Sequence, residues 1–227
     1  MLCRRAVRIS SLGSLLHFSP DRSPHTYFPD RCTDGCPVED TCLYEARRLY
    51  TSDFMKRFVR HFPIDGDESS VLDALRSGPF GRGVFRCAND VVDHQIVNLE
   101  CDGGISVNLI MQGHSHDDTR TMRYDGTLAT LEGRFRSDIT VHDHRPGKAA
   151  ERIVPRSGGG HGGGDSAILE TVVQAIRGQG PGLLSSAEEA LESHMMAFAA
   201  EESRLNGGVV VDMEQYRQAA RQLGTAT

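Results

Sequence analysis

The chain has 227 residues, is 38% hydrophobic and 25% charged, and carries a net charge of −6 with a pI of about 5.9. That acidic balance excludes nucleic-acid binding through a basic footprint. No apolar run of about 18 residues occurs, so no membrane-spanning helix is expected.

Arg4, Arg5 and Arg8 precede only a short apolar stretch. Neither the apolar core nor the small-residue cleavage site of a signal peptide follows, so a cytoplasmic location is expected. The six cysteines, Cys3, Cys32, Cys36, Cys42, Cys87 and Cys101, are then expected as thiols or metal ligands rather than disulfides. Residues 7–18 read as a strand interrupted by Gly13, and residues 19–37 as a loop rich in Pro, Asp and Cys. Leu43, Ala46, Leu49 and Tyr50 recur at helical spacing, placing one or two short helices in 38–60. Ser69-Ser70 is the expected cap of a short helix that Gly78-Pro79 ends.

The middle of the chain is strand-rich. His94–Glu100 and Ile105–Gln112 flank Asp102-Gly103-Gly104, a hairpin signal. Thr121–Tyr124 and Thr127–Glu132 flank Asp125-Gly126, a second one. Two shorter strands, Ile139–His142 and Ala150–Val154, surround Pro146-Gly147. The last third is helical. Asp165 opens a helix to about Arg177. Ser185 or Ser186 caps the next, with Glu188 and Glu189 in its first turn and Asn206-Gly207-Gly208 as its stop. Asp212 opens the last. This order implies an α+β fold: one large, mostly antiparallel open sheet with helices packed on one face. A single domain over 1–227, with a Cys-rich loop and helical insertion at about 28–80, is the expected organisation.

Residues 158–163, Gly-Gly-Gly-His-Gly-Gly, match the dinucleotide fingerprint G-x-G-x-x-G literally. The context does not follow. A doubly wound unit needs a parallel strand after the helix, and here a Gly-Pro-Gly turn leads into another helix. A surface loop remains, with His161 alone among six glycines. His-Gly-Gly-Gly also resembles a lipase oxyanion loop, but no G-x-S-x-G motif accompanies it.

Cys32-x3-Cys36-x5-Cys42 gathers three thiols in eleven residues. Tetrahedral zinc takes four N or S ligands, so Cys87 is the fourth candidate, with His94 or His61 as substitutes. The opposing reading is a loop of reduced, unliganded thiols. Cys101 lies in a strand and reads as a packing residue. His114-x-His116 and His142-x-His144 have strand-alternate spacing suited to a metal, but read as polar residues at strand ends. Asn89-Asp-Val-Val-Asp93-His94 places Asn89, Asp93 and His94 ahead of an apolar strand, either as turn chemistry or as a substrate-facing edge.

Five segments in order carry a resemblance: Ser11-Leu-Gly-Ser14 with Phe18; Arg31-Cys-Thr-Asp-Gly-Cys-Pro37; Glu39-Asp-Thr-Cys42 with Tyr44; Asn89-Asp-Val-Val-Asp-His-Gln95; and Gly159-Gly-His-Gly-Gly-Gly-Asp165. Together they resemble the C-terminal domain of the glucose–fructose oxidoreductase / inositol dehydrogenase / MocA family, over about 7–220. The resemblance implies NAD(P)-dependent oxidation or reduction of a sugar or polyol, and a homodimer through the open sheet face. In that family the His of the glycine loop lies on the substrate side, facing the nicotinamide. His161 matches it, and Asp165 matches the acid after it. Family members also carry a Rossmann domain and a Glu-Lys-Pro lysine, and neither occurs in this sequence. Gly83 stands where relatives often have another Cys.

The expectation is therefore a substrate-binding and dimerisation domain, inactive alone, that meets its NAD or NADP through a Rossmann-domain chain. The alternative is a non-enzymatic dimeric module with a structural zinc loop. A metal hydrolase using His114, His116, His142 and His144 stands third.

Overall fold

The computed structural model describes residues 5–23, 29–53, 55, 67–117, 119–135, 137–155, 163–180 and 186–224. They form two compact units, Met1–His114 with Met196–Thr227, and Ser115–Met195.

The first unit is built on a four-stranded antiparallel sheet. Its strands are β1 (Ala6–Ser14), β2 (His94–Cys101), β3 (Ile105–Gln112) and the short β8 (Val211–Asp212), in the order β3-β2-β1-β8. A bulge between Ala6 and Arg8 resets the alternation of β1, so that Ala6, Ile9 and Ser11 are all buried. Gly13 belongs to this strand and does not interrupt it. A β-carbon there would lie 2.5 Å from the carbonyl oxygen of His94, so only glycine lets the strands approach. The β2–β3 hairpin turns where the two glycines require it: Gly103 and Gly104 both have positive φ.

Helix α4 (Ala187–Leu205) buries Ala199, Ala200 and Ser203, and α5 (Met213–Gly224) buries Met213 and Arg217. Ser203 stitches α4 to the sheet. Its Oγ accepts from the Ser11 N–H at 2.8 Å and donates to the Val209 carbonyl at 2.6 Å. Ser203→Ala would leave a buried strand donor unsatisfied, which costs about 1–3 kcal/mol. Urea unfolding should show that loss, and an unchanged midpoint would refute it. Arg217 reaches the Ala6 carbonyl at 2.7 Å and fixes α5 in the same way.

A second, smaller core lies under helices α1 (Ala46–Thr51) and α2 (Glu68–Ser77). Ala46, Val71 and Leu75 form it, with Cys32 and Tyr50 packed against it. Glu45 caps α1 through the N–H groups of Arg47 and Arg48. Asp67, not Ser69 or Ser70, caps α2, accepting from the Ser70 N–H at 2.7 Å. An acid ahead of the first turn does this as well as a hydroxyl and adds favourable charge.

The Ser115–Met195 unit has its own antiparallel sheet, β4 (Thr121–Asp125), β5 (Ala129–Arg134), β6 (Ile139–Asp143) and β7 (Glu151–Ile153), in sequential order. Helix α3 (Gly164–Ile176) follows, and α4 starts within this unit. The α+β class and the antiparallel pairing are as the sequence implies. The strands form two four-stranded sheets rather than one. Among the described residues, no apolar side chain of this second unit is buried. Ile168, Leu169, Val172, Val173 and Ile176 make an exposed stripe along α3. No helix among the described residues is long and apolar enough to cross a membrane.

Candidate functional site

The chain leaves β1 at Ser14 and turns across the N-terminal end of β2. Asp93, just before β2, holds that corner. Its N–H donates to the Ser14 carbonyl at 3.1 Å, and its own carbonyl accepts from Gly113 at 2.7 Å. A β-carbon on Gly113 would sit 2.9 Å from that carbonyl oxygen, so glycine is required there too.

The Asp93 side chain is buried. Oδ1 accepts from the Leu16 N–H at 3.0 Å. Oδ2 accepts from Leu16 at 2.9 Å, His17 at 2.6 Å and Phe18 at 3.4 Å. Nδ1 of His94 lies 3.0 Å from Oδ1, and Nε2 of His114 lies 3.7 Å from Oδ2. Burial pushes this carboxyl up. The hydrogen bonds from Leu16, His94, His17 and Phe18 outweigh it and hold the group well below the ordinary carboxylate range. Asp93 is therefore an ionised anchor. A carboxylate can only accept, so Nδ1 of His94 carries the bonding proton. In the neutral ring that leaves Nε2 as an acceptor, the arrangement by which a carboxylate orients a histidine for proton transfer.

Rings crowd around this anchor. The His17 ring centroid is 5.1 Å from Phe18, 5.8 Å from Tyr44, 5.2 Å from Phe85 and 4.9 Å from His114. Phe18 stacks on His114 at 5.1 Å and meets Tyr44 edge-on at 5.2 Å. Edge-to-face contacts of this kind orient rings as well as bury them. Asn89, itself exposed, reaches the Phe18 carbonyl at 3.5 Å. Asn89, Asp93 and His94 thus share one corner of the fold. Asp93 faces inward, and the imidazoles of His94 and His114 are the partly exposed groups.

His17 and His114 escape a reading by sequence spacing. His114 pairs by spacing with His116, yet the structure places it against Asp93 and leaves His116 exposed. The signal for His17 is its neighbour Phe18, one of the residues that carry the family resemblance. His142 instead lies 3.6 Å from Glu132, and the ring of His144 meets the Thr130 hydroxyl at 3.0 Å.

The cysteine cluster does not form the expected ligand set. Among the described residues, no group of three or more His, Cys, Asp or Glu side chains is placed to hold a metal ion. Cys32, Cys36, Cys42 and Cys87 are free thiols, and neither zinc nor the histidine-ligated metal fits the donors as arranged. Cys32 packs into the small core. Burial pushes its thiol up, against the N–H of Ala46, and Glu45 and the neighbouring Cys42 and Cys36 push the same way as burial. The result is a half-buried thiol held above the ordinary thiol range, packed against the small core. The Cys87 thiol faces the Gly83 carbonyl at 3.6 Å. Cys101 is buried as a packing residue, but it is disulfide-bonded, contrary to the expectation of thiols throughout.

His161 lies outside the described residues. Asp165 stands exposed in the first turn of α3, after Gly163 in the left-handed conformation. Every strand pairing among the described residues is antiparallel, and α3 is followed by α4. The parallel strand–helix–strand unit that holds a dinucleotide pyrophosphate is thus not formed by these residues.

No family model matches the chain, and no curated protein matches it. A solved structure of a "putative nadph-dependent oxidoreductase" from Desulfitobacterium hafniense DCB-2 is similar to it at 14% identity, with a TM-score of 0.46. The match covers 58% of this chain and 40% of that one, so the chain spans less than half of that protein's length. A likeness this slight carries no argument about fold or activity.

Proposed function

We propose that this chain is the substrate-facing, dimerising part of an NAD(P)-dependent oxidoreductase acting on a sugar or polyol, with the nucleotide held by a separate Rossmann-type part. One observation supports this reading above the others. Three of the segments that carry the family resemblance lie far apart in sequence and converge on one corner, through Phe18, Tyr44 and the Asp93-His94 pair. A packing accident gives no reason for an ionised carboxylate to orient the His94 imidazole beside that ring cluster, with His114 3.7 Å away. An oxidation of a secondary alcohol requires a group that takes the hydroxyl proton. His94 and His114 have the chemistry for it, and His161 is the further candidate from the glycine loop. NAD or NADP supplies the hydride chemistry in the assembled protein.

Dimerisation is assigned to the open face of the first sheet. There Leu12, Ile96 and Ile110 stand in register across three strands, 63%, 41% and 62% exposed. The Arg8–Glu100 ion pair flanks that row. An exposed apolar row of this kind supports that assignment.

The test uses the chain as it stands, with NADH and NADPH followed by fluorescence and myo-inositol and glucose followed by histidine ring NMR signals. Polyol-dependent shifts of His94 and His114, with no nucleotide binding, are expected. Tight nucleotide binding would overturn the assignment of the cofactor site to another part. Histidine signals indifferent to every polyol would overturn the substrate class.

A further inference from the structure

The described residues in 29–53 and 67–87 are closed on themselves. Ala46, Val71 and Leu75 make their core. Arg31 bridges to Arg82, and the Gly83 N–H donates to the Asp30 carbonyl at 2.9 Å, so the two ends of this excursion are pinned together. Rings join it to the corner of the first sheet, within the same compact unit. Tyr44 and Phe85 come from the excursion, His17 and Phe18 from the chain after β1, and His114 from the chain after β3. His17 is the central ring and meets the other four. Among the described residues its imidazole makes ring contacts alone and no hydrogen bond. Phenylalanine would fill the place as well. What an imidazole adds is a charge that can appear near neutral pH. We propose that His17 and His114 form a pH-sensitive clasp. It holds Tyr44 and Phe85 against the sheet corner while the two facing imidazoles carry at most one charge, and releases them when both are protonated.

The charges around the rings decide the sign. The His17 and His114 rings stand edge to face, 4.9 Å between centroids, so two imidazoliums there would repel at close range. Phe18 and Phe85 line the same contact and offer neither ring an anion. Asp93 can balance one added charge but not several. Nδ1 of His94 lies 3.0 Å from its Oδ1, and Nε2 of His114 lies 3.7 Å from its Oδ2. Asp93 is ionised throughout the imidazole range, so the imidazoles alone change charge. The excursion brings the Tyr44 phenol and two carboxylates. Glu45 is paired with Arg47 at 2.9 Å, and Asp30 with Arg86 at 3.9 Å. Asp21 and Arg22, in the turn that packs on Val84–Arg86, are exposed, as is Asp90. The released state therefore holds one proton more than the clasped one. Acidification favours release, by at most about tenfold per pH unit for that one proton. This device goes beyond the proposed function and holds or fails whatever the substrate.

The test is NMR on the full chain, following ring-to-ring Overhauser contacts at about pH 8 and about pH 5, the span in which an ordinary imidazole titrates. The Phe18–Tyr44 contact, 5.2 Å between centroids, reads the clasp without involving either histidine. In the wild type the ratio of clasped to released chain should fall by roughly tenfold or more over that span, while contacts between β1 and β2 persist. His17→Phe keeps a ring and removes the charge, so its Phe18–Tyr44 contact should be the same at both pH values. His114→Phe carries the same expectation and decides the matter if the first variant does not fold. His142→Gln, in the Ser115–Met195 unit, should respond as the wild type does. A wild-type contact that is unchanged between the two pH values would overturn the proposal. So would a folded His17→Phe or His114→Phe chain that releases as the wild type does, or loss of the β1–β2 contacts together with the ring contacts.

Discussion

Asp93→Ala should destabilise the unit that holds the first sheet by about 3 kcal/mol, because it strips the acceptor from several part-buried backbone donors, at about 1–3 kcal/mol for each that water does not reach. The carboxylate accepts from three consecutive backbone N–H groups, those of Leu16, His17 and Phe18, and from His94. Alanine leaves those donors without their acceptor in a corner closed by rings, and each orphaned donor carries a desolvation cost. Asp93→Asn separates charge from shape. Its single amide oxygen can still accept, but its NH2 group faces donors, so an intermediate loss is expected. Urea unfolding followed by circular dichroism measures both, and a loss below about 1 kcal/mol for the alanine variant would contradict the anchoring role.

The same anchor gives a pH dependence with a defined sign. The folded carboxyl titrates below its unfolded value, so the folded state holds fewer protons there. The stabilisation is complete above the unfolded carboxyl pKa of about 3.9. It is lost as the pH falls through the lower folded value. Asp93→Asn should therefore lose stability at neutral pH and show a shallower acid limb than the wild type. Equal acid limbs would show that the carboxylate is not the group responsible.

Short-range chemistry was the legible part of this fold. The Gly103-Gly104 turn, the Ser186–Glu189 capping box and the Asp212 cap stand where the residues place them: Glu189 N–H to Ser186 Oγ at 3.1 Å, Ser186 N–H to Glu189 Oε2 at 3.0 Å, and Asp212 Oδ1 accepting from Glu214 and Gln215 at 3.0 Å. Each is a local interaction, closed within a few residues. The division into two sheets was not legible, because it depends on which strand edges meet, and β3 and β4 carry no residue that announces a break. The cysteine loop misleads for a related reason. Three thiols in eleven residues suggest ligands, but Cys32 is turned into a core formed with Ala46, Val71 and Leu75, which arrive from two later helices. At the candidate site, the segment Asn89–His94 was visible as chemically useful. The inward turn of Asp93 was not, because its donors come from residues some 75 positions earlier. Sequence spacing likewise could not pair His114 with Asp93 in preference to His116.

Gly81→Ala should cost more than about 4 kcal/mol, beyond the range of ordinary single substitutions. Gly81 ends a short 3-10 turn, Pro79–Gly81, and is buried against the last turn of α2. An added β-carbon would lie 1.7 Å from the Leu75 carbonyl oxygen, 2.6 Å from its carbon and 2.9 Å from its Cα. These are backbone atoms, so no side chain can rotate away. The backbone is also pinned. Arg31 donates to the carbonyls of Leu75 at 2.8 Å, Gly78 at 2.7 Å and Ser77 at 3.1 Å, and the Cys32 N–H donates to Gly81 itself at 3.0 Å. Leu75, 1% exposed, is the largest fully buried side chain of the small core, so admitting the methyl group displaces that core. The Cys32 thiol reports the change directly, because opening the core exposes it. Its reaction with an aromatic disulfide reagent should accelerate sharply in Gly81→Ala, alongside early proteolysis within 29–87. Gly164→Ala is the control: no atom lies within 4 Å of an added β-carbon there, and the residue opens α3. It should be neutral or stabilise by about 0.5–1 kcal/mol. If Gly81→Ala unfolds at the wild-type midpoint with an unreactive Cys32, the α2 carbonyl is not where the structure places it.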